Sequence, residues 1–225
     1  MKSLEKDPNS QVARRHVGYF INDGYREVIQ VEYRYGRSVG FMFRVNIQNK
    51  EYKSESAKYF DALSNILDQL PLTSAIVLFH KVIIVSEDSH MISDLEEWLY
   101  PYSVRDSGTV VYKLRLYIDQ KRIETQKHLD FGNAAEDLRT QLGPSYKLQA
   151  CYFCKYLIEY NEFGGTDYRH DQTYCFRDHL EDYEFLMLSY PNLYGKESLL
   201  GLKGIPNMDA LHSCSSFTYR VEPRP

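Results

Sequence analysis

The chain has 225 residues, 43% apolar and 26% charged, with a net charge of −4. That is enough apolar material for a real core and excludes a disordered chain; about 100–200 residues per domain allows one large domain or two small ones. The negative charge disfavours a uniformly basic nucleic-acid binder, and with a mean hydropathy of −0.49 no apolar run approaches the ~18 residues of a membrane span.

The first ten residues, rich in Lys, Ser, Pro and Asn, read as a loose terminus, and Met1–Arg15 has no apolar stretch of signal-peptide type. A cytoplasmic chain is expected. Asn22-Asp23-Gly24 is a turn signal, with residues 16–21 as a strand before it. Ile29, Val31, Tyr33 and Tyr35 alternate with polar residues. After Gly36-Arg37, Phe41, Phe43, Val45 and Ile47 do the same. A period of two around a Gly-containing turn predicts a β-hairpin with one buried face.

Tyr59, Phe60, Leu63, Ile66, Leu67 and Leu70 recur at helical spacing before Pro71. Ala75–Phe79 and Val82–Val85 form one buried strand or a tight pair, which periodicity does not decide. Ser93 and Glu96 have capping-box spacing ahead of Trp98-Leu99, with Pro101 as a stop, and predict a short helix. Val110, Tyr112, Leu114, Leu116 and Ile118 predict a strand. Asn133 and Glu136 form a looser capping pattern for a helix that Gly143-Pro144 ends.

From residue 146 strand-like pieces, Tyr146–Tyr152 and Tyr156–Tyr160, surround a cysteine pair. His179–Tyr190 fits a helix or a strand, Gly201, Gly204 and Pro206 mark a loop, and Ser216–Val221 reads as a last strand. The expected fold class is α+β: a mostly antiparallel sheet, two or three helices, and a zinc-stapled C-terminal part. Residues 1–145 are the sheet-and-helix region. Residues 146–225 are a Cys-bearing region packed on it as one structural unit.

The chain's four cysteines are Cys151, Cys154, Cys175 and Cys214, in the pattern C-x2-C-x20-C-x38-C. A CxxC can turn two thiolates toward one point, and zinc then needs two more ligands. Cys175 and Cys214 supply them. His179, four residues after Cys175, is the alternative fourth ligand, and His212 lies near Cys214. A closed four-thiolate site is structural and contributes to folding. Disulfides, a redox pair and unconnected core thiols compete with this reading. The first suits a secreted chain and the second a βαβ context that is lacking here.

Cys151-Tyr-Phe-Cys154, Phe163-Gly164-Gly165, Cys175-Phe-Arg177-Asp178 and Cys214 followed by Phe217 and Arg220 together resemble a family of uncharacterised bacterial proteins of unknown function. The resemblance covers about residues 150–221. It implies a bacterial origin and favours Cys214 over His179, and it names no activity.

Nucleotide-binding Gly loops and HExxH are absent. The seven histidines are scattered. Asp23 with Glu51-Tyr-Lys53 matches a loose magnesium-nuclease pattern. Charge is uneven: residues 1–60 carry 11 Lys/Arg against 7 Asp/Glu, and eight carboxylates lie between Glu159 and Glu184. The 20 tyrosines suit half-buried sheets and interfaces. The leading expectation is a non-enzymatic interaction protein with a protein partner of basic surface, such as a toxin-neutralising immunity protein or a defence-complex component. A metal-dependent hydrolase or nuclease is the alternative. A third reading is nucleic-acid binding through the basic hairpin residues Arg26, Arg34, Arg37 and Arg44.

Overall fold

The computed structural model describes residues 12–36, 40–56, 59–102, 110–153, 157–160, 172–175 and 205–207. By density of contacts the chain divides into two units, Met1–His80 with Asp94–Gln141, and Lys81–Ser93 with Leu142–Pro225.

The first unit is built on antiparallel strands. They are β1 (Val12–Asn22), β2 (Tyr25–Gly36), β3 (Gly40–Ile47), β4 (Lys50–Ser56), β5 (Ser74–Val85, to His80 in this unit), β6 (His90–Tyr100, from Asp94), β7 (Val111–Ile118) and β8 (Lys121–Glu124). Their order is β4-β3-β2-β1-β5-β6-β7-β8. Two meanders, β1 to β4 and β5 to β8, therefore meet where β1 pairs β5. The ladder at that seam runs from Gly18↔Leu78 to Asn22↔Ser74.

Alternation buries one face of these strands, except that Ser74–Leu78 of β5 is buried on both faces. On that face lie Phe20, Val31, Tyr33, Phe43, Val45, Leu78, Leu95, Leu99, Leu114 and Leu116, all under 5% exposed. α1 (Tyr59–Leu67) packs on β3 and β4 and buries Ala62, Leu63, Ile66 and Leu67. α2 (Phe131–Leu142) buries Ala134, Ala135 and Leu138, and Phe131 meets Tyr112 edge-on at 5.8 Å. Among the described residues these are the two α-helices, so the antiparallel α+β expectation holds.

Three hairpins close through two-residue turns with both central residues at positive φ: Asp23-Gly24, Gln48-Asn49 and Asp119-Gln120. That backbone matches the twist of the flanking strands. The cap of α2 is Asp130, whose carboxylate accepts the Asn133 N–H at 2.9 Å. Asn133 is thus inside the first turn and not the cap. Gly143 at φ 69 ends the helix in the left-handed region.

Several expectations need correction. Ser93–Pro101 is not a helix. β6 is a strand with Leu95, Glu97 and Leu99 buried and Glu96, Trp98 and Tyr100 half-buried, a period of two that outweighs the capping-box spacing. Ala75–Phe79 and Val82–Val85 belong to one strand, β5. Pro206 sits in a short strand and not in a loop.

In the second unit, β9 (Lys147–Gln149) pairs β5 through Ile84↔Leu148, and a single 3-10 turn follows at Cys151–Phe153. A separate sheet has the order β10 (Leu157–Tyr160), β11 (Gln172–Cys175), β12 (Ile205–Asn207). The segments His179–Tyr190 and Ser216–Val221 lie outside the described residues.

Gly18 is required at the seam, because a Cβ there would lie 2.0 Å from the Val77 carbonyl oxygen. Gly18→Val should therefore cost at least about 2 kcal/mol, in the range of core overpacking. Urea denaturation measures it, and an unchanged midpoint would contradict the close approach.

Candidate functional site

Four polar side chains form a row across the buried face of the first unit. His16 is on β1 in phase with Gly18 and Phe20, Tyr33 on β2, His80 on β5 and Glu97 on β6. The Tyr33 hydroxyl is hydrogen-bonded to His16 Nε2. The His16 and His80 rings lie 4.9 Å apart, tilted by 50°. His80 Nε2 is 3.0 Å from Glu97 Oε2. Tyr33, His80 and Glu97 are 3%, 6% and 8% exposed, while His16, between Tyr33 and His80, is half-buried.

The chemistry of the row follows from its partners. With the phenol donating to Nε2, a neutral His16 carries its proton on Nδ1. His80 gives Glu97 the donor that a buried carboxylate requires. Catalysis in solution needs contact with substrate, and the enclosure of His80 and Glu97 withholds it. The row is suited to holding strands together and to storing charge.

The opposite face of β6, β7 and β8 carries an ion-pair network. Glu124 receives Lys113, Arg115 at 2.7 Å and Arg122 at 3.4 Å, and Arg115 also reaches Glu96 at 2.9 Å. The Lys113 hydrogen bond holds the Glu124 carboxyl below its ordinary range against partial burial, and Arg115 adds to the effect. Trp98 donates to Glu96 at 2.8 Å and stacks on Tyr100, whose own ring lies 3.8 Å from Lys127 Nζ. Near α2, burial opposes ionisation of Asp137. Hydrogen bonds from Gln141, His128 and the Gln126 N–H outweigh it and leave the carboxyl low.

The residues of the nuclease-like pattern have other partners. Asp23 sits in the β1–β2 turn and accepts from Thr73 at 3.1 Å. Glu51 is paired with Lys53 at 2.7 Å and Arg44 at 3.2 Å. Lys53 holds the Glu51 carboxyl below its usual range. Of the basic hairpin set, Arg34 meets Glu32 at 3.0 Å, and Arg26 lies 3.5 Å from the centre of the Tyr19 ring. Arg37 lies outside the described residues. Among the described residues no three of His, Cys, Asp and Glu gather as a metal-holding group.

Of the four predicted zinc ligands, Cys151 opens the 3-10 turn and Cys175 ends β11. Cys154 and Cys214, like His179 and His212, lie outside the described residues. The β10–β11 register sets Cys175 opposite Leu157, three residues beyond Cys154 in sequence. No protein-family model, curated protein or solved structure matches the chain.

Sequence reading considered the histidines singly or with their sequence neighbours, and so missed the buried row. The available signal was phase. His16, His80 and Glu97 each occupy the inward position of an alternating strand, where a polar group needs a partner.

Glu97→Ala should destabilise by about 3 kcal/mol, the scale of breaking a buried pair by removing one member. Glu97→Gln, which retains an acceptor, should cost less. Thermal and urea unfolding of both variants check this, and equal small losses would mean that the pair carries little. Asp137→Asn should remove part of the acid sensitivity. The depressed carboxyl contributes stability above the unfolded aspartate value, near about 3.9, that is lost as pH falls through its lower folded value. Unfolding midpoints between pH 5 and 2 report it.

Proposed function

We propose that this chain is a non-enzymatic protein-binding module of bacterial cytoplasm whose C-terminal part is stapled by a structural zinc ion. An immunity protein or a defence-complex component is the class that fits. The observation that carries the binding reading is the outer face of β1 and β2. Val17 and Val28 are 58% and 66% exposed there. They lie at diagonal register positions, with Tyr19 directly opposite Val28. Exposed apolar side chains on an otherwise charged sheet suit a docking surface. The partner is a protein of basic surface, complementary to the eight carboxylates between Glu159 and Glu184. The enclosure of His80 and Glu97 supports a binding role over a catalytic one. Among the described residues no particular contact favours the hydrolase or the nucleic-acid reading.

The zinc ligands are Cys151, Cys154, Cys175 and Cys214. Their support is the thiolate-only donor set and the pairing of β11 with β10, the strand that begins just after the CxxC. Such a site ties strands together and leaves no open position for water.

Two experiments test these readings separately. Elemental mass spectrometry of the purified protein should find about one zinc per chain, lost in Cys214→Ser and retained in His179→Ala. No metal in the wild type would remove the staple, and the converse pattern would exchange the fourth ligand. For binding, a partner identified by affinity capture is purified and titrated against wild type and the Val17→Asp, Val28→Asp double variant. The expected result is a basic partner whose affinity falls at least tenfold, about 1.4 kcal/mol. Equal affinities would exclude this face.

A further inference from the structure

The outer face of the first meander holds an open cavity of about 260 Å³. All four strands line it: Arg15 on β1, Gln30 and Glu32 on β2, Arg44 and Asn46 on β3, and Glu51 on β4. Register builds the lining from two neighbouring rows. Arg15, Glu32, Arg44 and Lys53 stand directly opposite one another in turn across the strands. In the next row Val17 is opposite Gln30 and Asn46 is opposite Glu51, and Gln30 and Asn46 both adjoin the Val31↔Val45 pair.

Two features of the lining indicate the sign and the chemistry of a ligand. The first is charge. Each carboxylate meets two cations. Glu32 takes Arg15 at 3.4 Å and Arg34 at 3.0 Å, and Glu51 takes Arg44 at 3.2 Å and Lys53 at 2.7 Å. Each group of three keeps one positive charge in excess. Arg34 holds the Glu32 carboxyl below its ordinary range, as Lys53 does for Glu51, so both are ionised at neutral pH. Glu55, the next carboxylate along this face of β4, is opposite Met42 and one row further from the cavity. The second feature is a supply of donors. Arg44 meets Glu51 through Nε, and its guanidinium makes no hydrogen bond among the described residues. The same is true of the Gln30 and Asn46 carboxamides, which are exposed. A guanidinium fork and two carboxamide NH₂ groups are donors that an oxyanion accepts.

We propose that this cavity is a binding site for a small phosphate monoester. The phosphate lies against the end of Arg44 and the Gln30 and Asn46 amides. Its two negative charges match the two in excess on the protein, whereas a carboxylate would leave one unmatched. Arginine pairs with phosphate through two parallel bonds, and here it can do so while Nε stays on Glu51. Val17, 58% exposed and opposite Gln30, gives an apolar ester body a surface to lie on. The cavity is below the roughly 300 Å³ at which sites for drug-sized ligands begin, so the ligand is small. The site does not depend on the protein-docking reading, although Val17 serves both.

The test titrates the full chain with phenyl phosphate and follows it by NMR. Saturable shifts should appear at residues 15, 30, 32, 44, 46 and 51 and in the side-chain amide signals of Gln30 and Asn46. Arg44→Gln should weaken binding about tenfold or more, the scale of one charge-assisted hydrogen-bonding group. Arg122→Gln, which removes an exposed arginine from the separate cluster around Glu124, should leave the affinity unchanged. Benzoate, with the same ring and a single charge, should bind about tenfold more weakly than phenyl phosphate. Acidification to about pH 5.5 should weaken phenyl phosphate, because a phosphate monoester takes up its second proton at about 6. The wild-type shifts decide the matter by themselves if Arg44→Gln fails to fold. Three results would each overturn the site: no saturable shifts at the lining residues, equal affinities of wild type and Arg44→Gln, or benzoate bound as tightly as phenyl phosphate.

Discussion

The join between β1 and β5 is the contact on which the first unit depends. Each meander is held internally by hairpins between sequence neighbours. The two meanders share one face only because five residue pairs, Gly18↔Leu78 to Asn22↔Ser74, connect strands more than 50 residues apart. Gly18 lets the backbones approach at one end of this ladder, and Thr73 bonds Asn22 and Asp23 at the other. The His16–His80 contact extends the join past its last backbone bond. A polar row in that position fixes register, because a slip of one residue at the seam would turn one meander's two members away from the other's.

Most of the sheet was legible wherever alternation was apolar. β2, β3 and β7 could be read directly because their inward residues are Val, Ile, Leu, Phe and Tyr. β6 was misread because Glu97 interrupts its apolar phase, while Ser93 and Glu96 imitate a helix cap. β4 left no apolar trace, since its one inward side chain below 9% exposure is Ser54. The buried row needed more than phase: only a known strand order brings His16 beside His80, and that order depends on a distant pairing. The cysteine spacing was legible, whereas ligation depends on positions outside the described residues.

The two faces of the first unit handle charge in opposite ways. On the outer face charges are abundant and mutually compensated, as in the convergence of Lys113, Arg115 and Arg122 on Glu124. Of these groups Arg122 is exposed and contributes little stability, whereas Lys113, Arg115 and Glu124 are half-buried. Charges also mark the strands at the two ends of the sheet order: β4 carries Lys50, Glu51, Lys53 and Glu55, and β8 carries Lys121, Arg122 and Glu124. Charged edges discourage pairing with another chain. Among the described residues the buried His80 and Glu97 stand on the inner face, where a charge weighs more than at the surface.

The three tight turns have a consequence for the order of assembly. Asp23-Gly24, Gln48-Asn49 and Asp119-Gln120 each close a hairpin locally, an event of about 1–10 μs. The β1–β5 ladder must instead close a loop that contains β2, β3, β4 and α1, and the entropy of that closure is met before any of its contacts form. Hairpins therefore precede the seam on the way to the native state. Until the seam closes, the apolar faces of both meanders stay open to other chains, and a newly made protein is most prone to aggregate in that interval.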